Sequence, residues 1–149
     1  MCQIREEDLW KKADLWVVTT NGTVGKHGLI MGVGAAKQAA DKYHGLAAEA
    51  GKVVALRTQR LNNRAYGFAT LPNYPIGLFQ VKYDWRDKAE MMLIRLSAVL
   101  LAVYADEFPT VSIRMNFPGI GYGGRISNRA EIEKALSSTL PDNVTVCYF

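Results

Sequence analysis

WVVTTNGTVGKHGLIMGVGAAKQAA, residues Trp16 to Ala40, decides how this chain is read. Its first five residues are β-branched or aromatic and predict a buried strand. Asn21-Gly22 then breaks the strand. A loop follows with Gly25, Gly28, Gly32 and Gly34, and Ala35 to Ala40 are good helix formers. Strand, glycine-rich loop and helix start together present backbone N–H groups and a positive helix end to an anion. Glycine lets the backbone approach that anion without a Cβ in the way. Neither GxGxxG nor GxxxxGK[ST] is present, so the stretch matches neither the dinucleotide fingerprint nor the P-loop.

Working outward, a strand is expected at Cys2–Arg5, and a polar turn at Glu6–Trp10. A helix is expected from about Gly34 to Tyr43, with a short helical piece at Leu46–Ala50 closed by Gly51. Val53–Arg57 reads as a strand pairing with Ala65–Leu71 in a hairpin, and Ile76–Lys82 as a further extended run. A long helix is expected from about Arg86 to Ala105, capped by Asp84 or Asp87. Its core stripe is read as Ala89, Met92, Leu93, Leu96, Leu100 and Val103, widened by Met91, Ile94, Val99 and Leu101. Val111–Phe117 alternates as a central strand. Pro118–Gly124 is a second glycine-rich loop. Asn128 with Glu131 caps a last helix to about Leu140, and Val144–Tyr148 is the final strand.

Strands and helices alternate, which predicts one α/β domain over residues 1–149, a twisted mixed sheet with helices on both faces. Ligands of such sheets sit outside the carboxyl ends of the strands. If the strands before the two glycine-rich loops are neighbours, both loops flank one crevice, and paired phosphate cradles suit a pyrophosphate.

The 149 residues carry a formal net charge of +4, with 49% hydrophobic and 21% charged residues. This is an ordinary globular balance, without a basic run to suggest a nucleic-acid tail. Cys2, Cys147, His27 and His44 show no metal-ligand spacing, so neither a metal nor any other cofactor is expected. Met1–Arg5 lacks the apolar core of a signal peptide. No apolar run is long enough to span a bilayer. The expected setting is a reducing cytosol with free thiols, and the expected state a monomer.

At this point the residues resemble the macro domain, an ADP-ribose-binding module. The resemblance covers nearly the whole chain and rests on four motifs in order. Asp8-Leu9-Trp10 is similar to an early motif whose Asp accepts from the adenine amino group. Val17-Val18-Thr19-Thr20-Asn21 is similar to a strand whose closing Asn contacts the distal ribose. Met31-Gly32-Val33-Gly34-Ala35-Ala36 resembles the first phosphate loop. Phe117-Pro118-Gly119-Ile120-Gly121-Tyr122-Gly123 resembles the second. The resemblance thus implies a three-layer α/β/α fold. It also implies a ligand site built from Asp8, Leu9, Thr20, Asn21, Met31, Gly32, Val33, Gly34, Ala35, Pro118, Gly119, Ile120, Gly121, Tyr122 and Gly123.

Met-Gly-x-Gly-x-Ala resembles one branch in particular. It holds terminal ADP-ribose glycohydrolases, antitoxins that reverse DNA ADP-ribosylation, and small phage-encoded macro proteins, which implies a phage or bacterial source. In its glycohydrolases a Lys at the position of Lys82 attacks the anomeric carbon of the distal ribose, so Lys82, with Asn21, is the implied catalytic pair. Their assisting Asp falls here at Gly124 or Arg125, where no carboxylate stands. Three activities therefore stay open: hydrolysis of an ADP-ribosyl linkage on protein or nucleic acid, removal of phosphate from ADP-ribose 1''-phosphate, and non-catalytic reading of ADP-ribose.

Overall fold

A computed structural model describes residues 1–61, 64–119 and 129–149. In chain order the elements are β1 (Gln3–Glu6), β2 (Leu15–Thr20), β3 (Val24–Gly25), β4 (Gly28–Leu29), α1 (Gly34–Lys42), α2 (Leu46–Leu61), β5 (Phe68–Thr70), β6 (Ile76–Gln80), α3 (Met91–Glu107), β7 (Ile113–Asn116), α4 (Arg129–Thr139) and β8 (Val144–Tyr148). Six strands form one sheet in the order β1-β8-β7-β2-β6-β5. All neighbours are parallel except β5, which runs antiparallel to β6. β3 and β4 make a separate small hairpin inside the first glycine-rich stretch.

β2 lies between β7 and β6, and both its faces are covered. Val17 packs with Phe79, Ile94, Leu101, Met115 and Ile132 on the α3/α4 side. Val18 packs with Ala39, Leu46, Val54, Ile76 and Leu78 on the α1/α2 side. A strand buried on both faces reads as a continuous apolar run, as LWVV does. The result is the expected three-layer mixed α/β architecture. β2 and β7 are neighbours, so the two glycine-rich stretches leave adjacent strands.

Four expectations need correction. Val53–Arg57 is not a strand. It lies within α2, and β5 pairs with β6 instead of with it. The pair Val53-Val54 favours a strand locally, but Val54 is buried in the helix–sheet core, and packing overrides propensity. Gly51 does not close a helix but sits inside α2. A Cβ there would stand 2.8 Å from the Gly28 Cα and 2.9 Å from the Leu29 N, so glycine is what lets α2 lie against the small hairpin.

The long helix starts at Met91, and neither Asp84 nor Asp87 caps it. These two form their own turn, in which the Asp84 N–H donates to Asp87 Oδ2 at 3.2 Å and the Asp87 N–H to the Asp84 carbonyl at 3.0 Å. Its core stripe is also in another phase. Leu93, Ile94, Ser97, Ala98, Leu101, Ala102 and Ala105 face inward, whereas Met92, Leu96, Val99 and Val103 are exposed. Cys2 and Cys147, on adjacent strand lines, are both buried free thiols. The Asn128 cap lies outside the described residues.

Gly51→Ala tests the α2 packing. Helix propensity alone favours Ala over Gly by about 1 kcal/mol, but a methyl forced against backbone costs about 1–3 kcal/mol. The variant is expected to unfold at lower urea than wild type. A raised midpoint would contradict the close approach.

Candidate functional site

At the carboxyl ends of β2, β6 and β7 the chain leaves a cavity of about 420 Å³. Thr19, Thr20 and Asn21 form one wall, the Ile30–Ala36 segment another, and Val81, Lys82 and Trp85 a third. Asn116 and Gly119, from the end of β7, complete it. A second hollow of about 480 Å³ adjoins the first and shares Gly34, Ala35 and Asn116 with it. Glu7, Asp8, Leu9, Gln38, Tyr148 and Phe149 line this second compartment.

The start of α1 stands where the two compartments meet. Its N-cap residue Val33 is extended and makes no side-chain cap, and no acidic residue occupies the first turn. Intrahelical bonding resumes only at Lys37, whose N–H donates to the Val33 carbonyl at 3.2 Å. The first-turn N–H groups therefore have no intrahelical acceptor and carry the positive end of the helix. Among the described residues, a Cβ built on Gly32 or on Gly34 meets nothing within 4 Å. Gly34 has φ +60°, which itself favours glycine. Gly32 has neither a positive φ nor, among the described residues, a crowding neighbour to require it.

Behind this wall, a network of buried polar groups takes over where the sheet ends. The Asn21 amide closes the loop above it: Nδ2 donates to the Ile30 carbonyl at 3.0 Å, and Oδ1 accepts from the Thr23 N–H at 2.9 Å. The Tyr66 hydroxyl donates to the Asn21 carbonyl, so the Thr20 hydroxyl, 2.6 Å away, donates to Tyr66. Burial pushes the Tyr66 phenol well above its usual range, which keeps it a donor. Gln80 is fully buried. Its Oε1 accepts from the Tyr66 and Gly67 N–H groups, and its Nε2 donates to the Arg64 and Lys82 carbonyls.

Lys82 follows directly and is itself buried, with 9% of its surface exposed. Its Nζ donates to the Trp85 carbonyl at 3.0 Å. Loss of water lowers the Lys82 pKa below the usual lysine value, a shift that Asp87 and Asp84 partly oppose. Asp84 is not poised as a base. Its carboxylate grips Arg86 at 3.0 Å, is held below the usual Asp range by it, and does not line the cavity.

The Glu7–Leu9 edge of the second compartment is fixed from below. Arg114 donates through Nη2 to the Asp8 carbonyl at 2.7 Å and through Nε to the Leu9 carbonyl at 3.1 Å. It also pairs with Glu7 at 2.8 Å, and both side chains are largely covered. Arg114, and then Lys11, lower the Glu7 pKa. Asp8 Oδ1 accepts from the Trp10 N–H at 3.1 Å, an Asx turn that orients the carboxyl.

Of the residues expected at the site, Thr20, Asn21, Met31, Gly32, Val33, Gly34, Ala35, Lys82 and Gly119 line the first compartment. Asp8 and Leu9 line the second. Pro118 is buried and lines neither. Ile120, Gly121, Tyr122 and Gly123, like Gly124 and Arg125, lie outside the described residues. The sequence reading missed Tyr66, Gln80, Arg114 and Asn116. Asn116 could have been found, since it is the last polar position of an alternating strand that runs into a glycine-rich loop. Its Oδ1 accepts from the Thr19 N–H at 3.0 Å, and its Nδ2 donates to the Thr19 hydroxyl at 2.9 Å. Among the described residues no cluster of three His, Cys, Asp or Glu side chains is placed to hold a metal ion. No helix among them is long and apolar enough to cross a membrane.

No protein-family model matches the chain, and no curated protein sequence does. Solved structures do match. The macrodomain of Mycobacterium tuberculosis DarG is similar at TM-score 0.71 and 19% identity, covering 99% of this chain and 97% of its own. The macrodomain of Thermus aquaticus DarG is similar at TM-score 0.66 and 19% identity, covering 99% and 96%. Thermosipho africanus DarTG, solved in complex with ADP-ribose, is similar at TM-score 0.72 and 13% identity, covering 97% of this chain and 40% of the longer one. With the strand order, the two-sided burial of β2 and the loop positions already described, these likenesses establish that the chain has the macrodomain fold.

Proposed function

We propose that the two joined compartments bind ADP-ribose or an ADP-ribosyl group. The observation that carries this reading is Gly32. Among the described residues nothing forbids a side chain there, yet Gly32 lines the cavity into which the uncapped start of α1 also faces. A ligand that needs close backbone approach supplies the missing reason. Pyrophosphate fits a place where free N–H groups, a helix N-terminus and the Lys82 wall converge. The adenine then lies in the second compartment against Asp8 and Leu9, and the distal ribose lies toward Asn21 and Lys82. The ADP-ribose complex of the similar DarTG structure supports the choice of ligand.

Lys82 favours a second step on the same ligand. A buried amine with a lowered pKa is a usable nucleophile. Its lone pair would form a bond to the anomeric carbon of the distal ribose while the bond to the linked group breaks. That group leaves with a proton, and water then releases the ribose from Lys82. The deprotonated amine is required, and Asp84 and Asp87 near it favour the charged form instead. Tight binding with slow turnover is the balance these residues support.

Two measurements test this. Gly32→Val should leave the unfolding free energy in urea within about 0.5 kcal/mol of wild type, as at an uncrowded surface site, while abolishing calorimetric binding of ADP-ribose. Full binding by a folded Gly32→Val would place the phosphates elsewhere. For the chemistry, single-turnover release from mono-ADP-ribosylated protein or DNA should rise with pH as Lys82 loses its proton. It should level off below 10.5, the ordinary lysine value from which the Lys82 pKa is lowered, and Lys82→Ala should abolish release but keep binding. Release that survives Lys82→Ala would remove this residue from the chemistry.

A further inference from the structure

One residue holds two side chains of the second compartment from behind. The Trp10 backbone N–H donates to Asp8 Oδ1 at 3.1 Å, and its indole Nε1–H donates to Gln38 Oε1 at 2.8 Å. Trp10 itself lines neither compartment, whereas Asp8 and Gln38 both line the second. Its ring is held in turn by Trp16, with centroids 6.0 Å apart, and by the Lys42 ammonium, 4.9 Å from the centroid. Gln38 and Lys42 both stand on α1, so the indole ties the Asp8 turn to the helix that starts where the compartments meet.

These bonds decide which polar atoms remain for a ligand. An indole N–H only donates, so it fixes the Gln38 amide with its oxygen on Trp10 and leaves the NH2 group over. Among the described residues, neither Gln38 Nε2 nor Asp8 Oδ2 makes a hydrogen bond. Other polar groups of the compartment are already engaged. Glu7 gives Oε1 to Arg114 and Oε2 to Lys11, and Arg114 also takes the Asp8 and Leu9 carbonyls. What Trp10 leaves is one carboxylate acceptor and one amide donor.

We propose that Gln38, braced by Trp10, is the residue that makes this compartment select adenine over hypoxanthine and guanine. The inference rests on the reading that the compartment holds the base of ADP-ribose. Along one edge adenine shows a donor, its 6-amino group, next to an acceptor, N1. Hypoxanthine and guanine show the reverse there, an acceptor O6 next to a donor N1–H. Asp8 Oδ2 accepts from the amino group, and Gln38 Nε2 donates to N1. With either other base the carboxylate meets O6 and the NH2 group meets N1–H, so both contacts become repulsive and leave polar groups unpaired. A free glutamine could turn its amide over and offer its oxygen to N1–H instead. The indole removes that freedom, because turning the amide over would set an NH2 group against the indole N–H. Trp10 is thus a positioning residue, and Gln38 is the one that reads the base.

Calorimetric titration of the whole chain with ADP-ribose and with its hypoxanthine analogue, inosine diphosphate ribose, tests the inference. Wild type should bind ADP-ribose roughly tenfold or more tightly than the analogue. Gln38→Glu puts an acceptor where the donor stood, at an exposed position and with an oxygen still available to the indole. Its added charge weakens both anionic ligands, so the readout is the ratio of the two affinities, which should fall by roughly tenfold or more. Trp10→Phe removes the indole donor and should lower the same ratio with an unchanged circular dichroism spectrum. Equal binding of the two ligands by wild type would overturn the inference. So would a ratio that Gln38→Glu leaves at the wild-type value, which would assign the selectivity to Asp8 alone, or one that Trp10→Phe leaves there. Binding of neither ligand by folded wild type would overturn the ADP-ribose reading itself, and this inference with it.

Discussion

Everything at the site depends on where β2 stops. Its ladder with β6 runs from Trp16 to Thr20, and that with β7 ends at Val17 opposite Met115. Beyond those points the backbone still carries buried donors and acceptors, and each one left unpaired costs about 1–3 kcal/mol. The chain satisfies them with side chains and loop carbonyls. Asn116 takes the Thr19 N–H, the Val81 N–H donates to the Thr20 carbonyl, and Tyr66 donates to the Asn21 carbonyl. The Gly22 N–H reaches the Tyr83 carbonyl at 3.0 Å. The same groups that end the sheet also fix the walls of the crevice.

Gln80 links this constraint to Lys82. Four backbone groups from two segments converge on one fully buried amide, and Ser97 Oγ of α3 donates to the Gln80 and Gly67 carbonyls. The segment after β6 is therefore held from both sides when it reaches Lys82. Position and desolvation then come together: the fold that orients the amine also strips its water and lowers its pKa. Such placement suits a group that must touch a ligand, because little freedom remains to be lost on binding.

Much of this was legible in the chain. LWVV announced a buried strand, the alternation of Ile113 to Asn116 announced another, and the glycines between Gly28 and Gly34 announced a loop before the next helix. The helix phases were not legible. Met91–Glu107 is apolar on nearly every side, so counting apolar positions selects no face. What selects it is Ser97, which needs the Gln80 and Gly67 carbonyls, together with Ala98, Ala102 and Ala105, whose small size lets α3 lie close to the sheet. Val53-Val54 misled in the opposite way, since β-branched residues carry a strand preference that burial of Val54 in the core between α2 and the sheet outweighs. Arg114 and Tyr66 were invisible because their partners are main-chain atoms far away in sequence.

The central claim is that one ligand spans both compartments, with its phosphates at the start of α1. Calorimetric titration with ADP-ribose, set beside AMP and ribose 5-phosphate, tests it most directly. AMP offers the adenine half and ribose 5-phosphate the distal half. Linking two halves that fit adjoining sites spares the second association its loss of freedom. The account predicts that ADP-ribose binds at one site per chain, far more tightly than either half, and that each half competes with it. No heat with ADP-ribose, or an affinity no better than that of AMP alone, would contradict it.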